Sequence, residues 1–218
     1  MTLAIVLVGW IFSLCLHEFS HALVAYMGGD YTVRDKGYLT FNPLKYTHPV
    51  YSLLLPLLFL VMGGIGLPGG AVYIETWRLR SRAWRTAVSL AGPFSNLLLA
   101  IILGLFLHFA PVNFSGAWPG LAFLALLQVT AVVLNLIPVP PFDGYNALEP
   151  HLNEATRMQF EQTRGVFIWI VFLLLWFVPF INNIFWGVIF FISRILGVPL
   201  QLAIMGLQQF TSIFHFGL

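Results

Sequence analysis

Long apolar runs separated by short polar segments dominate the chain. Five of these runs approach or exceed the ~20 residues that a helix needs to cross a ~30 Å hydrocarbon core. They are Leu3–Met27, Ala87–Ala110, Ala117–Ile137, Val166–Phe190 and Ile195–Phe214. A sixth run, Tyr51–Leu67, is shorter and carries one proline and three glycines, so we expect it to enter the membrane and return or to lie half-buried. The pattern predicts an all-α polytopic membrane protein with about five to six transmembrane helices and a re-entrant segment.

Composition narrows the class of protein further. Hydrophobic residues make up 59% of the chain and charged residues 8%, against roughly 25% charged in a typical soluble domain. So few charges cannot cover a water-facing surface, which excludes a soluble globule and makes the lipid bilayer a partner. The net charge of +2 is too weak to indicate a nucleic-acid partner. The single Cys15 excludes internal disulfides and cysteine-based metal fingers.

The distribution of basic residues predicts an orientation. Three groups precede Arg194. They are Arg34, Lys36 and Lys45; Arg78, Arg80, Arg82 and Arg85; and Arg157 and Arg164. Because positive residues collect on the cytoplasmic side, the first span should run from outside to inside, and Tyr51–Leu67 should not cross. No basic residue precedes Arg34, so the first span is expected to be a retained helix. We expect a multi-pass protein of a prokaryotic inner membrane.

A metal-binding pattern lies within the first span. His17 and His21 are four residues apart, which places both imidazoles on one face of a helix, where they can share a metal ion. Glu18 between them can act as general base toward a metal-bound water. The structural alternative is a pair of helix-interior histidines bonded to neighbours. Inside a membrane that alternative is weak, because ionisable residues there are costly and usually functional.

Two histidines leave a catalytic zinc one protein ligand short, since such sites use three protein ligands and a water. Asp143 is the candidate, because a proline run ends the third long span just before it and Gly144 permits a sharp turn. The alternative is an ordinary turn aspartate before glycine. His17 lies 15 residues, or about 22 Å of helix, beyond Thr2. Asp143 must reach the same depth, so its span should run in the direction of the first.

Three ordered motifs carry a resemblance to a known family. His17–His21 reads H-E-x-x-H, Ala91–Asn96 reads A-G-P-x-x-N, and Asn135–Gly144 reads N-x-x-P-x-P-x-x-D-G. Over about Leu3–Gly144 the chain resembles the site-2 protease family of intramembrane zinc metalloproteases. Gly37–Leu44 is similar to a stretch that forms a membrane-associated β-hairpin in small prokaryotic members, so the resemblance implies such a hairpin here.

The resemblance also implies an activity: hydrolysis of peptide bonds in or near transmembrane segments of membrane-anchored protein substrates. One Zn²⁺ would be held by His17, His21 and Asp143, with the active site nearer the cytoplasmic side. Asn96 is a candidate oxyanion donor or an interhelical hydrogen-bonding residue. Asn135 has the same two interpretations, with packing favoured. We expect an exposed strand edge in Tyr38–Asn42 to hold the substrate in extended form.

The organisation expected is a catalytic core over 1–144, a cytoplasmic loop over 145–165 and two C-terminal transmembrane helices over 166–218. There is no room for the PDZ or CBS domains that many members carry. His48 stands where members often have an acidic residue, and we assign it no role.

Three alternatives to this function can be stated. A membrane di-iron hydroxylase or desaturase needs more histidines than the six present. A different H-E-x-x-H peptidase class would take a glutamate as third ligand, with Glu149, Glu154 and Glu161 as candidates. A non-catalytic metal-binding scaffold that presents client proteins would have no need of Glu18.

Overall fold

The computed structural model describes residues 1–45, 72–110 and 113–212 of the 218-residue chain. Within these ranges the regular structure is entirely helical. The α-helices are α1 (Thr2–Gly28), α2 (Thr32–Asp35), α3 (Arg82–Phe109), α4 (Trp118–Asn135), α5 (Asp143–Leu148), α6 (Glu154–Gln162), α7 (Arg164–Phe177), α8 (Pro179–Ile195) and α9 (Leu200–Thr211). Short 3-10 turns occur at Pro43–Lys45, Thr76–Arg78 and Glu149–His151.

Helices α1, α3 and α4 form the centre of the bundle. Gly28 at the end of α1 packs against Trp84 at the start of α3, so these two helices are antiparallel. Gly120 at the start of α4 lies against Thr2 at the start of α1, and further along Gly9 packs against Leu124. Helix α4 therefore runs in the same direction as α1, as the placement of Asp143 requires.

Helix α4 is the most enclosed of the three. Of its residues 78% are buried, against 44% of the most apolar stretch of α1 or of α3, so α4 is the core helix and the other two expose apolar faces on the outside of the bundle. Helix α9 covers the N-terminal half of α4: Gly206 lies against the backbone of Pro119, and the rings of Phe123 and Phe210 are 5.9 Å apart. Apolar side chains of α8 complete this core.

The span count differs from the predicted five to six. In the described residues three helices (α1, α3, α4) are long and apolar enough to cross a membrane, or four if α6 and α7, which meet at 70°, form one bent span. The predicted span Val166–Phe190 is interrupted at Val178, which is extended because the following Pro179 disfavours helical backbone before it. The Asn182 amide donates to the Leu175 carbonyl oxygen at 2.8 Å and satisfies one acceptor at this break.

The last predicted span, Ile195–Phe214, is interrupted in the same way near its start. Gly197 takes a left-handed conformation (φ 76°) and Pro199 follows it, so helix α9 begins only at Leu200. Its 12 residues reach about 18 Å, which is short of the hydrocarbon thickness.

The predicted β-hairpin at Gly37–Leu44 is wrong, and with it the strand edge expected in Tyr38–Asn42. This segment is a series of turns that ends in a 3-10 turn. Gly37 is left-handed (φ 75°) and its carbonyl oxygen accepts the Thr40 hydroxyl, while the Asn42 side chain accepts the Leu44 N–H. These local hydrogen bonds compete with strand pairing. Tyr51–Leu67 and His48 lie outside the described residues.

Asp30 connects the segment that includes Glu75 to the end of α1. It is fully buried; Oδ1 accepts the N–H and hydroxyl of Thr32 at 3.1 and 2.6 Å, and Oδ2 accepts the Glu75 N–H at 2.7 Å. The Glu75 carboxylate in turn lies 2.6 Å from Arg78 and 3.0 Å from Lys36, and these two cations lower the pKa of Glu75 to about 2.

We predict that Asp30→Ala destabilises the protein by about 2 kcal/mol, because it leaves a partly buried N–H of Glu75 without its charged acceptor. Thermal unfolding in detergent measures the effect. Asp35→Ala is the matched control, because Asp35 is exposed one turn further on and its removal should change little. Equal melting temperatures for the two variants would contradict the role assigned to Asp30.

Candidate metal centre

The two histidines of α1 turn toward the bundle interior. His17 and His21 lie one helical turn apart on the buried face, and their Nε2 atoms are 3.0 Å from each other. The rings meet edge to face with centroids 4.7 Å apart. Both are more than nine-tenths buried, so the shared face that the spacing predicts is present.

Asp143 reaches this face from the far end of the proline-rich loop that follows α4. Phe142 is extended and Asp143 is the first residue of α5, so its side chain projects from a helix start. The Oδ2 atom lies 3.2 Å from His17 Nε2 and 3.4 Å from His21 Nε2. A Cβ on the neighbouring Gly144 would overlap the carbonyl oxygen of Leu136, so glycine is needed for the loop to fold back this tightly.

The three ligand atoms have the spacing of a metal site. A tetrahedral zinc with bonds of about 2.0–2.1 Å separates neighbouring ligand atoms by about 3.3 Å. The separations of 3.0, 3.2 and 3.4 Å surround that value. Two imidazole nitrogens and one carboxylate oxygen are a donor set that suits Zn²⁺ and leaves a fourth position free for water. Among the described residues this is the one cluster of three such side chains that could hold a metal ion.

The other ring nitrogens are held by α3. His17 Nδ1–H donates to Asn96 Oδ1 at 2.5 Å, and His21 Nδ1–H donates to the Val88 carbonyl oxygen at 2.6 Å. Each acceptor places the ring proton on Nδ1 and leaves the Nε2 lone pair directed at Asp143. Partners of this kind orient metal-binding histidines.

Gly92 allows α3 to approach the histidines closely. A Cβ at this position would overlap Nε2 of both His17 and His21, so the backbone of α3 forms one wall of the centre. Gly92 belongs to the A-G-P-x-x-N motif, which by itself predicts no role for it. A glycine inside a helical pattern, followed by a proline, was the available signal of close packing.

Glu18 is buried beside the centre and is close enough to interact electrostatically with His17, His21 and Asp143. Its Oε2 accepts the backbone N–H of Val72 at 3.0 Å. Residues 72–75 have no regular secondary structure, so an irregular segment of chain lies against this carboxylate. The hydrogen bond from Val72 could not be predicted from the sequence, because its donor is a backbone N–H and every residue except proline has one.

The two asparagines differ in their surroundings. Asn96 is 4% exposed; its oxygen accepts from His17 and its nitrogen donates to Gln128 Oε1 at 2.8 Å. Asn135 is the last residue of α4 and is also buried. No sequence motif indicates Gln128 as a partner of Asn96.

The glutamates considered as third ligands lie elsewhere. Glu149 pairs with Arg157 at 3.6 Å and Glu161 with Arg164 at 3.4 Å, and Glu154 is exposed at the start of α6. The carboxylate that joins the two histidines is that of Asp143. The geometry thus favours the aspartate over the glutamate alternative.

Comparison with known proteins agrees with this class of centre. "Putative zinc metalloprotease Rip2" of Mycobacterium tuberculosis is 48% identical over 212 residues, covering 95% of this chain and 81% of the relative. The Rip2 protein of Mycolicibacterium smegmatis is 48% identical over 207 residues, covering 94% and 78%. "Putative zinc metalloprotease YwhC" of Bacillus subtilis is 33% identical over 185 residues, covering 81% of each chain.

No family model matches the sequence, and no solved structure is significantly similar to it. The identities over most of both chains nevertheless show the family. The chain belongs to the site-2 protease family of zinc metalloproteases. It is accordingly a metalloprotease whose cofactor is Zn²⁺.

We predict that Gly92→Ala weakens zinc binding by roughly 10- to 100-fold, because the added methyl group displaces both imidazoles. Bound zinc is measured by elemental analysis after dialysis against a weak chelator. Gly187→Ala on α8 is the control, since a methyl group there meets open space and zinc content should not change. Normal zinc content in Gly92→Ala would show that α3 does not form a wall of the metal site.

Proposed function

We propose that this metalloprotease is an intramembrane endopeptidase that cuts peptide bonds in or near transmembrane segments of membrane-anchored proteins. His17, His21 and Asp143 are its zinc ligands. The observation that carries the proposal is the set of three ligand atoms 3.0–3.4 Å apart, held inside a bundle of apolar helices. A site at this position meets a substrate within the bilayer and not in bulk water.

A Zn²⁺ ion held by His17, His21 and Asp143 would supply Lewis-acid chemistry, namely a water made acidic toward a pKa of about 7 and polarisation of the scissile carbonyl group. Glu18 serves as the general base: it accepts the proton of the attacking water and passes it to the leaving nitrogen. The carboxylate is buried beside the three ligands and is not one of them, which suits a residue that moves protons. Its Oε2 accepts the Val72 N–H, and we assign the other carboxylate oxygen, Oε1, to the water.

Substrates must unwind before they are cut. A transmembrane helix offers no free backbone carbonyl, because each one is already bonded within the helix. The segment that begins at Val72 lies against Glu18 and has no regular secondary structure. A substrate in extended form would have to occupy the space beside Glu18 together with this segment. Substrate spans with helix-breaking residues are therefore the preferred class.

The charge distribution supports an orientation in the cell membrane. Helix α1 ends, and α3 begins, at the pole of the bundle where Lys36, Glu75 and Arg78 form their network. Nine of the ten basic residues group at this pole, whereas Arg194 lies near Gly197 and His108 at the opposite pole. We place the basic pole in the cytoplasm.

The expected domain layout remains part of the proposal. Residues 1–144 supply every candidate ligand and the base, 145–165 form the cytoplasmic connection, and 166–218 form the C-terminal membrane part. The exposed helix α6 and its ion pairs suit the cytoplasmic assignment of the middle segment.

We predict that Glu18→Gln keeps zinc but lowers cleavage of a single-span membrane substrate by roughly 10²- to 10⁴-fold, because the amide cannot accept the proton. Asp143→Ala should lose most of its zinc. Both are measured in detergent with elemental analysis, and with mass spectrometry of the fragments to locate the cut.

Glu161→Gln is the control for the loss of a carboxylate, because Glu161 lies on the exposed helix α6. Full activity in Glu18→Gln would remove Glu18 as the base, and normal zinc content in Asp143→Ala would remove Asp143 as a ligand. Fragments cut only in a water-exposed tail of the substrate would contradict the intramembrane assignment.

A further inference from the structure

A chain of three buried polar side chains links the three long helices. His17 of α1 donates from Nδ1 to Asn96 Oδ1 of α3 at 2.5 Å, and Asn96 Nδ2 donates to Gln128 Oε1 of α4 at 2.8 Å. The three residues are 7%, 4% and 1% exposed. Burying polar side chains in an apolar bundle costs free energy, and such residues are usually functional. These hydrogen bonds therefore indicate a role beyond packing.

The order of donors and acceptors gives the chain a direction. An asparagine amide could present either oxygen or nitrogen to His17, since the two groups are nearly equal in shape. Here Asn96 Nδ2 donates to Gln128 Oε1 and Asn96 Oδ1 faces His17. A metal ion on His17 Nε2 requires this same order, because it leaves the ring proton on Nδ1, which only the Asn96 oxygen can accept. That oxygen requires a proton on His17 Nδ1, which leaves the Nε2 lone pair toward Asp143.

The two histidines depend on α3 in different ways. His21 is held by the Val88 carbonyl oxygen, a backbone atom whose position the helix determines. His17 is held by a side chain that can rotate, so its orientation depends on whatever fixes Asn96. Gln128 is the residue in contact with the far side of the Asn96 amide.

We propose that Gln128 is a positioning residue for the metal centre and acts through Asn96 on His17. The inference rests on the proposed role of His17 as a zinc ligand. It also assigns Asn96 a role toward the histidine, because its oxygen accepts from His17 and one of its two amide hydrogens is donated to Gln128. Residues that orient a ligand in this way typically change metal affinity by 10- to 100-fold when removed.

The test measures zinc affinity of the full chain in detergent by competition with a chromophoric chelator. The variants are Gln128→Met, Gln128→Glu, Asn96→Ala and the Asn96→Ala/Gln128→Met pair. Methionine keeps the length of glutamine without an acceptor, whereas glutamate keeps the acceptor. We expect Gln128→Met to weaken zinc binding on the order of 10-fold and Gln128→Glu to restore most of it.

Two further readouts separate positioning from packing. The absorption spectrum of the Co²⁺-substituted protein should shift in Gln128→Met, because the ligand geometry changes. Gln128→Met should add little to Asn96→Ala in the double variant, because Gln128 acts through Asn96. Thr130→Val is the matched control: Thr130 is equally buried on α4 and donates to the Leu126 carbonyl oxygen, so affinity and spectrum should stay unchanged.

Unchanged zinc affinity in Gln128→Met, equal losses in Gln128→Met and Gln128→Glu, or additive losses in the double variant would each overturn the inference. The melting temperature of the zinc-free variants shows that they fold. His17→Ala separates a failure of the proposed ligand set from a failure of the role of Gln128. Normal zinc binding in His17→Ala would show that His17 is not a ligand. If His17→Ala loses zinc and Gln128→Met does not, the ligand set stands and the positioning role of Gln128 is wrong.

Discussion

Inside an apolar bundle a charged or hydrogen-bonding side chain must find its partners within the protein, because lipid supplies none. This constraint governs the centre of the molecule. His17, His21 and Asp143 share one small space, and the Nδ1–H of each imidazole donates to an oxygen atom of helix α3. In the proposed function a metal ion completes the set, since it would give the two lone pairs and the carboxylate a common partner.

The fold around the centre follows from the need to bring these atoms within about 3 Å. Helix α1 presents two histidines on one face, and α3 can press its backbone against them because Gly92 has no side chain. Helix α4 runs parallel to α1 and ends near the depth of the two histidines. The loop after it therefore brings Asp143, 122 residues after His21, next to them. Apolar contacts between α9 and the N-terminal half of α4 hold α4 in the bundle.

Much of the metal centre was predictable from sequence, because helical spacing relates His17 to His21 and a proline run marks the turn before Asp143. The contributions of Gly92 and Gln128 were not, since they depend on which faces of separate helices meet. Two other predictions failed because local backbone chemistry determines the structure there. Val178 before Pro179 interrupts a run that is apolar throughout. Local hydrogen bonds in Gly37–Leu44 form turns, whereas the family resemblance implied a hairpin.

The central claim concerns the atoms that bind zinc, and X-ray absorption at the zinc edge of the purified protein tests it most directly. The account predicts a shell of nitrogen and oxygen atoms at about 2.0–2.1 Å, with the outer scattering of two imidazoles and no sulfur. Cys15 is buried two residues before His17 and is the nearest sulfur along the chain. A sulfur atom at about 2.3 Å, or the scattering of fewer than two imidazoles, would contradict the account.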